Sequence, residues 1–135
     1  MSARPDQIMK NAVIVTWTVT AAGAATLYMP LTLTADSTGR DSTAGENASA
    51  IALETKTAGE KVQVALLTGG AVVPVKVGSA GATQGLYAEI GTTGAIDRTL
   101  GGGTTVRYIL GKFTETGATG DVVGLAVGQF AGVSA

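Results

Sequence analysis

The sequence predicts an all-β protein, a small β-barrel or β-sandwich with an extended N-terminal arm and at most one short helix. Three observations carry this. Apolar residues recur with a period of two in most segments, the spacing at which side chains share one face of a strand. Twenty glycines sit among abundant Thr and Val, whereas the helix formers Lys, Glu, Gln and Leu are sparse. Turn signals built on Gly return at short intervals, as they do in sandwiches and barrels.

Residues 1–10 show no strand period, and Pro5 removes a backbone donor. They are expected to form the arm, mobile in the free protein, with residues 11–135 as a single β domain. Over 12–20, Val13, Val15, Trp17 and Val19 fall on one face and Ala12, Ile14, Thr16 and Thr18 on the other. Small residues around Gly23 suit a turn, and Leu27, Met29, Leu31 and Leu33 resume the alternation, so this region reads as a hairpin. Residues 35–49 are polar and punctuated by Gly, which predicts a long surface loop of the binding or mobile kind.

Strands are expected over 50–55, 61–68 and 71–77, with Gly69-Gly70 as a two-residue hairpin turn between the last two. Pro74 marks an edge or a bulge, because it cannot donate to a ladder. Residues 84–90 and 95–100 flank the turn Gly91-Thr92-Thr93-Gly94, and the one candidate helix lies near Gln84. Gly101-Gly102-Gly103 then separates that pair from strands over 105–114 and 122–130.

A chain of 135 residues with 45% hydrophobic content fills one modest core. The net charge of −1, from 9 Lys and Arg against 10 Asp and Glu, creates no field that would draw in nucleic acid or an anionic membrane. A partner therefore has to be recognised by shape and local contacts. No apolar run approaches the roughly 18 to 20 residues of a membrane helix. The first residues lack the basic-then-apolar build of a secretory signal, so synthesis in a cytoplasm is expected. Without Cys there is neither a disulfide framework nor a thiolate metal site, and His is absent too.

Each candidate for chemistry meets a plain objection. A phosphate loop at Gly111-Lys112 would need Gly where Val106 stands, and Phe113 replaces the hydroxyl ligand; Gly101-Gly102-Gly103 lacks its third Gly at the same position. Glu54 and Glu115 could be proposed as a glycosidase-like pair, but both fall beside Gly-closed turns, where solvated acids are the simpler reading. The remaining acids are scattered, so no catalytic residue, metal ligand or cofactor is expected. Asn47-Ala48-Ser49 fits a glycosylation sequon by chance.

Asp97-Arg98 suits a cross-strand ion pair or a contact with a neighbouring subunit, worth about 0 to 1 kcal/mol when exposed. In a chain with 4% aromatic residues, Trp17, Tyr28 and Phe130 are either core anchors or subunit-interface residues.

A weak internal repeat is also present. Setting Gly59 against Gly120 aligns Glu54-Thr55 with Glu115-Thr116, Glu60 with Asp121, Val62 with Val123 and Ala65 with Ala126. Each copy reads as a strand, a solvated turn closed by Gly and a returning strand whose Val points inward.

These same segments, Ala52-Leu53-Glu54, Ala58-Gly59-Glu60-Lys61-Val62-Gln63-Val64-Ala65-Leu66, Ile109-Leu110-Gly111 and Gly120-Asp121-Val122-Val123, resemble a family of small phage proteins that includes capsid decoration, or cement, proteins. The resemblance spans roughly residues 48–130. It implies a compact β domain that forms a homotrimer on the capsid exterior, binds the major capsid protein and stabilises the head. On that reading the arm supplies capsid contacts, polar through Arg4, Asp6, Gln7 and Lys10 and apolar through Ile8 and Met9, with Pro5 among the contact residues. A tail or baseplate module, or a bacterial surface β module, would share this composition. A carbohydrate-binding module would want more aromatics.

Overall fold

The computed structural model describes residues 8–99 and 106–133, with the backbone alone at 106–107 and 129–133. The named elements are all strands, as the composition predicts. They are β1 (Ile14–Val19), β2 (Ala24–Ala25), β3 (Pro30–Ala35), β4 (Thr38–Asp41), β5 (Ala50–Ala52), β6 (Lys56–Thr57), β7 (Lys61–Leu66), β8 (Val72–Lys76), β9 (Tyr87–Ile90), β10 (Ile96–Arg98), β11 (Val106–Phe113) and β12 (Val122–Val133).

The N-terminal strands close into a barrel in the order β1-β4-β3-β5-β7, sealed by antiparallel pairing of β1 with β7. The C-terminal strands form a five-stranded sheet in the order β10-β9-β11-β12-β8, and β2 pairs with β6 in a two-stranded ribbon. Two apolar clusters fill these units. Trp17, Val19, Leu31, Val62 and Val64 pack inside the barrel, and Val73, Val75, Ile96, Leu110, Phe113 and Leu125 pack on one face of the sheet. β5 is the common wall. Alternation along a strand sends Ala50 and Ala52 into the barrel cluster and Ile51 into the other, so all three residues are buried.

The local signals hold where a turn joins partners in the same sheet. Residues Gly91-Thr92-Thr93-Gly94 connect the antiparallel pair β9 and β10, β11 pairs with β12, and Pro74 lies on the edge strand β8. They mislead where the chain changes layer. The expected hairpin of the first two strands does not form: β1 runs parallel to β4, and β3 instead pairs antiparallel with β4 and β5. β4 comes from the segment read as a long loop, which shrinks to the stretch after Asp41. Gly70, with φ of 87°, sits in a turn whose Ala71 amide donates to the Thr68 carbonyl, but this turn leads from barrel to sheet rather than between paired strands. No helix forms near Gln84, where the Leu86 amide donates to the Thr83 carbonyl across a tight turn with Gly85 at φ of 81°.

Of the segment read as an arm, residues 8–10 are described and pack on the domain. Ile8 is buried, Met9 packs against the sheet cluster, and Lys10 exchanges two backbone hydrogen bonds with Val72. Docking an apolar pair and satisfying two amides outweighs the entropy of fixing three residues, so Ile8, Met9 and Lys10 are held against the sheet.

Candidate functional site

Asp97 is the most perturbed buried acid. It stands opposite Glu89 in the β9–β10 register, and both carboxylates are buried on the same face. Its Oδ1 accepts the Ala80 amide at 3.0 Å, and the side chain fills space left by Gly78 and Gly91, where any Cβ would collide with it. Burial pushes the Asp97 carboxyl above its ordinary range; the Ala80 hydrogen bond opposes this and the neighbouring Glu89 charge adds to it. Arg98 does not pair with Asp97: its Nε donates to the Ala80 carbonyl at 3.0 Å. The two adjacent residues therefore clamp one loop residue from both of its backbone groups. This replaces the expected exposed ion pair, because the alternation of β10 turns Asp97 inward.

A second polar centre holds the loop after β4. Arg40 meets Glu46 in a two-pronged pair at 2.9 and 2.7 Å, and Glu46 also accepts the Thr43 amide at 2.7 Å. The Arg40 guanidinium and the Thr43 amide hold the Glu46 carboxyl down to about 2. The same construction recurs, since Glu60 accepts the Thr57 amide at 2.7 Å and Asp121 accepts the Ala118 amide at 2.9 Å. In all three, Gly at positive φ precedes the acid: Gly45, Gly59 and Gly120 at 84°, 79° and 88°. The weak repeat is thus a repeated turn with an acid that satisfies its first amide, and the copy at 43–46 went unnoticed because it lies in a segment with no apolar period.

Of the other residues singled out in the sequence, Trp17 is core, stacked over Gly39 inside the barrel. Tyr28 is half-buried and has φ of 62°; its amide donates to the Ala52 carbonyl and its carbonyl accepts the Lys76 amide, so it ties the barrel to the sheet through its backbone. Phe130 pairs with Ile109 in the β11–β12 ladder, and its side chain lies outside the described residues, as do Arg4, Pro5, Asp6 and Gln7. Glu54 lies 3.9 Å from Lys56, an exposed pair. Among the described residues no group of three or more acids is placed to hold a metal ion.

The surface offers apolar side chains instead. Val13 and Ile14 are exposed at the start of β1, and Leu27 and Leu33 elsewhere on the barrel half. On the sheet half, Leu86, Tyr87 and Tyr108 are exposed, with the Lys112 ammonium 5.0 Å from the Tyr87 ring centre.

No protein-family profile matches this chain, and no curated protein sequence matches it. Among solved structures, the N base of head fiber gp8.5 of bacteriophage phi29 is similar over 86% of this chain and 95% of that one, with a TM-score of 0.64 at 18% sequence identity. The two chains share a fold.

Proposed function

We propose that this chain is a structural protein of a phage head, seated on the outer surface of the shell through contacts with the major capsid protein, which it reinforces. The observation that carries the reading is the fold shared along nearly the whole length of both chains with the base of a phage head fiber. The exposed apolar side chains and the near-neutral charge fit recognition by shape. In this reading the chain has no catalytic role and needs no cofactor. It is made in the host cytoplasm and binds neither nucleic acid nor membrane. Arg4, Pro5, Asp6 and Gln7 retain the role of lattice contacts, whereas Ile8 and Met9 are committed to the protein's own fold.

The test is to add the purified protein to phage heads that lack it, then sediment the particles and image them by cryo-electron microscopy. Ordered density on the outer surface at fixed lattice positions is the expected result. Failure to co-sediment, or density confined to the tail, overturns the reading. The likeness to a fiber base supports a second version in which the chain seats a projecting fiber, and the same maps distinguish a fiber from a low knob.

A further inference from the structure

Asp97 is buried beneath a short flap. The segment between β8 and β9 is anchored at two points: the Gly78 amide donates to the Ile96 carbonyl at 2.9 Å and the Thr119 hydroxyl to the Gly78 carbonyl at 3.0 Å, while Ala82 exchanges two backbone hydrogen bonds with Gly117 at 3.0 and 3.1 Å. Between these anchors the chain lies along the outer edge of β10, with Ser79 exposed and Ala80 and Gly81 half-buried. Its bonds to β10 converge on two adjacent residues. Asp97 Oδ1 accepts the Ala80 amide, Arg98 Nε donates to the Ala80 carbonyl and the Arg98 amide donates to the Gly81 carbonyl, at 3.0, 3.0 and 2.9 Å. Gly78 and Gly81, the latter at φ of 80°, flank the clamped residue, so it can swing at little backbone cost.

The acid under this flap is poorly housed as an anion. Its carboxyl oxygens lie against the backbone of Gly78 and Gly91, and among the described residues it accepts one hydrogen bond, from Ala80, where an ionised carboxylate has room for about four. Across the ladder stands Glu89, buried on the same face. Segment 78–82 and the turn 91–94 carry no titratable side chain, Asp121 accepts the Ala118 amide within its own turn, and Arg98 Nε is turned to the Ala80 carbonyl. Burial and the like charge of Glu89 thus both oppose ionisation while the flap is closed. Release of Ala80 admits water to the carboxyl and relieves the penalty. The closed form therefore holds the proton more tightly than the open one, and loss of the proton favours opening.

We propose that residues 79–81 form a pH-gated flap, closed on β10 while Asp97 is protonated and opening as Asp97 ionises, which uncovers the Arg98 amide on the outer edge of β10. The opening is local, because Gly78 and Ala82 keep their bonds to Ile96 and Gly117. Arg98 limits the swing from the other side, since its guanidinium stays within reach of the Ala80 carbonyl. The device belongs to the sheet half of the chain and is independent of the reading as a head protein.

Amide hydrogen exchange of the full chain, followed by NMR from pH 4 to pH 8 and expressed relative to the unstructured rate at each pH, tests this. The Arg98 amide should lose protection several-fold as pH rises, while the anchor amides of Gly78 and Ala82 and the barrel amide of Val19, which donates to the Glu60 carbonyl, hold theirs. Asp97→Asn keeps an acceptor for Ala80 and cannot ionise, so its Arg98 amide should stay equally protected across the range. Arg98 protection that ignores pH, that falls in step with Val19, or that falls as much in Asp97→Asn overturns the proposal. If that variant does not fold, the Asp97 carboxyl carbon shift in the unsubstituted chain decides: its titration midpoint should coincide with the midpoint of the Arg98 loss, and two separate midpoints overturn the gate.

Discussion

Ile8 lies over Gly124, on the face of β12 opposite Val123 and Leu125, and a Cβ added at Gly124 would collide with Thr114 Oγ1 and stand 3.1 Å from Ile8 Cγ2. Ile8 thus covers part of the outer face of the sheet. Ile8→Ala is expected to lower stability by about 2 to 3 kcal/mol in urea denaturation. Gly124→Val should also destabilise, by crowding Thr114 first and Ile8 as well, and adding it to Ile8→Ala should cost somewhat less than the sum of the two because only the Ile8 part of the clash is relieved. Full additivity in this cycle means that the two residues do not share a contact.

Inside the barrel, Trp17 stacks on Gly39, where a Cβ would lie 2.8 Å from the Thr32 carbonyl oxygen and 2.9 Å from the Trp17 ring. Gly39→Ala should cost about 1 to 3 kcal/mol through overpacking. Combining it with Trp17→Leu should cost less than the two single changes together, since the smaller side chain frees part of the space. Thermal unfolding followed by tryptophan fluorescence reads the single variant, and circular dichroism reads the pair.

The Arg40–Glu46 pair predicts a loss of stability in acid. Glu46 is held down to about 2, so its contribution is present above the ordinary carboxylate range and disappears as pH falls toward 2. At neutral pH, Glu46→Gln should cost about 1 kcal/mol, the pair being half-exposed. The difference between the two proteins should vanish near pH 2, which a series of denaturation curves from pH 2 to 7 would show.

Asp97 predicts the opposite slope. Its carboxyl is raised by burial, so the stability it contributes is present below its unfolded value and is lost as pH rises through the raised one. Asp97→Asn keeps an acceptor for the Ala80 amide and should flatten that dependence, matching or exceeding the parent at neutral pH. Asp97→Ala leaves the Ala80 amide without its partner and should cost about 1 to 3 kcal/mol at every pH. Denaturation of the three proteins at pH 4 and pH 8 separates the charge from the hydrogen bond.

The all-β class, the β9–β10 and β11–β12 hairpins and the edge position of Pro74 were legible in the sequence, because each depends on residues close in the chain. The inward Val62 was legible for the same reason, as the Val of the strand that returns from a Gly-closed turn. The clamp on Ala80 was not: Asp97 and Arg98 look like a surface pair until the register of β10 turns one of them inward. Nor was the anchoring of Ile8, since an isolated apolar residue beside Met9 carries no period to say which sheet receives it.

What the sequence determined by itself was local: alternation sets which residues of a strand share a face, and Gly at positive φ sets where the chain turns. Which strands become neighbours was decided only in the tertiary structure. Residues around Gly23 and Gly70 signal turns equally well whether the next strand pairs with the last or crosses to another layer. That choice is made by burial, as β5 finds two apolar clusters to wall off and β1 finds β7 to close the barrel. The register slip in the β11–β12 ladder has the same origin: Gly111 accepts the close approach of the Ala126 carbonyl, a contact with a residue distant in the chain.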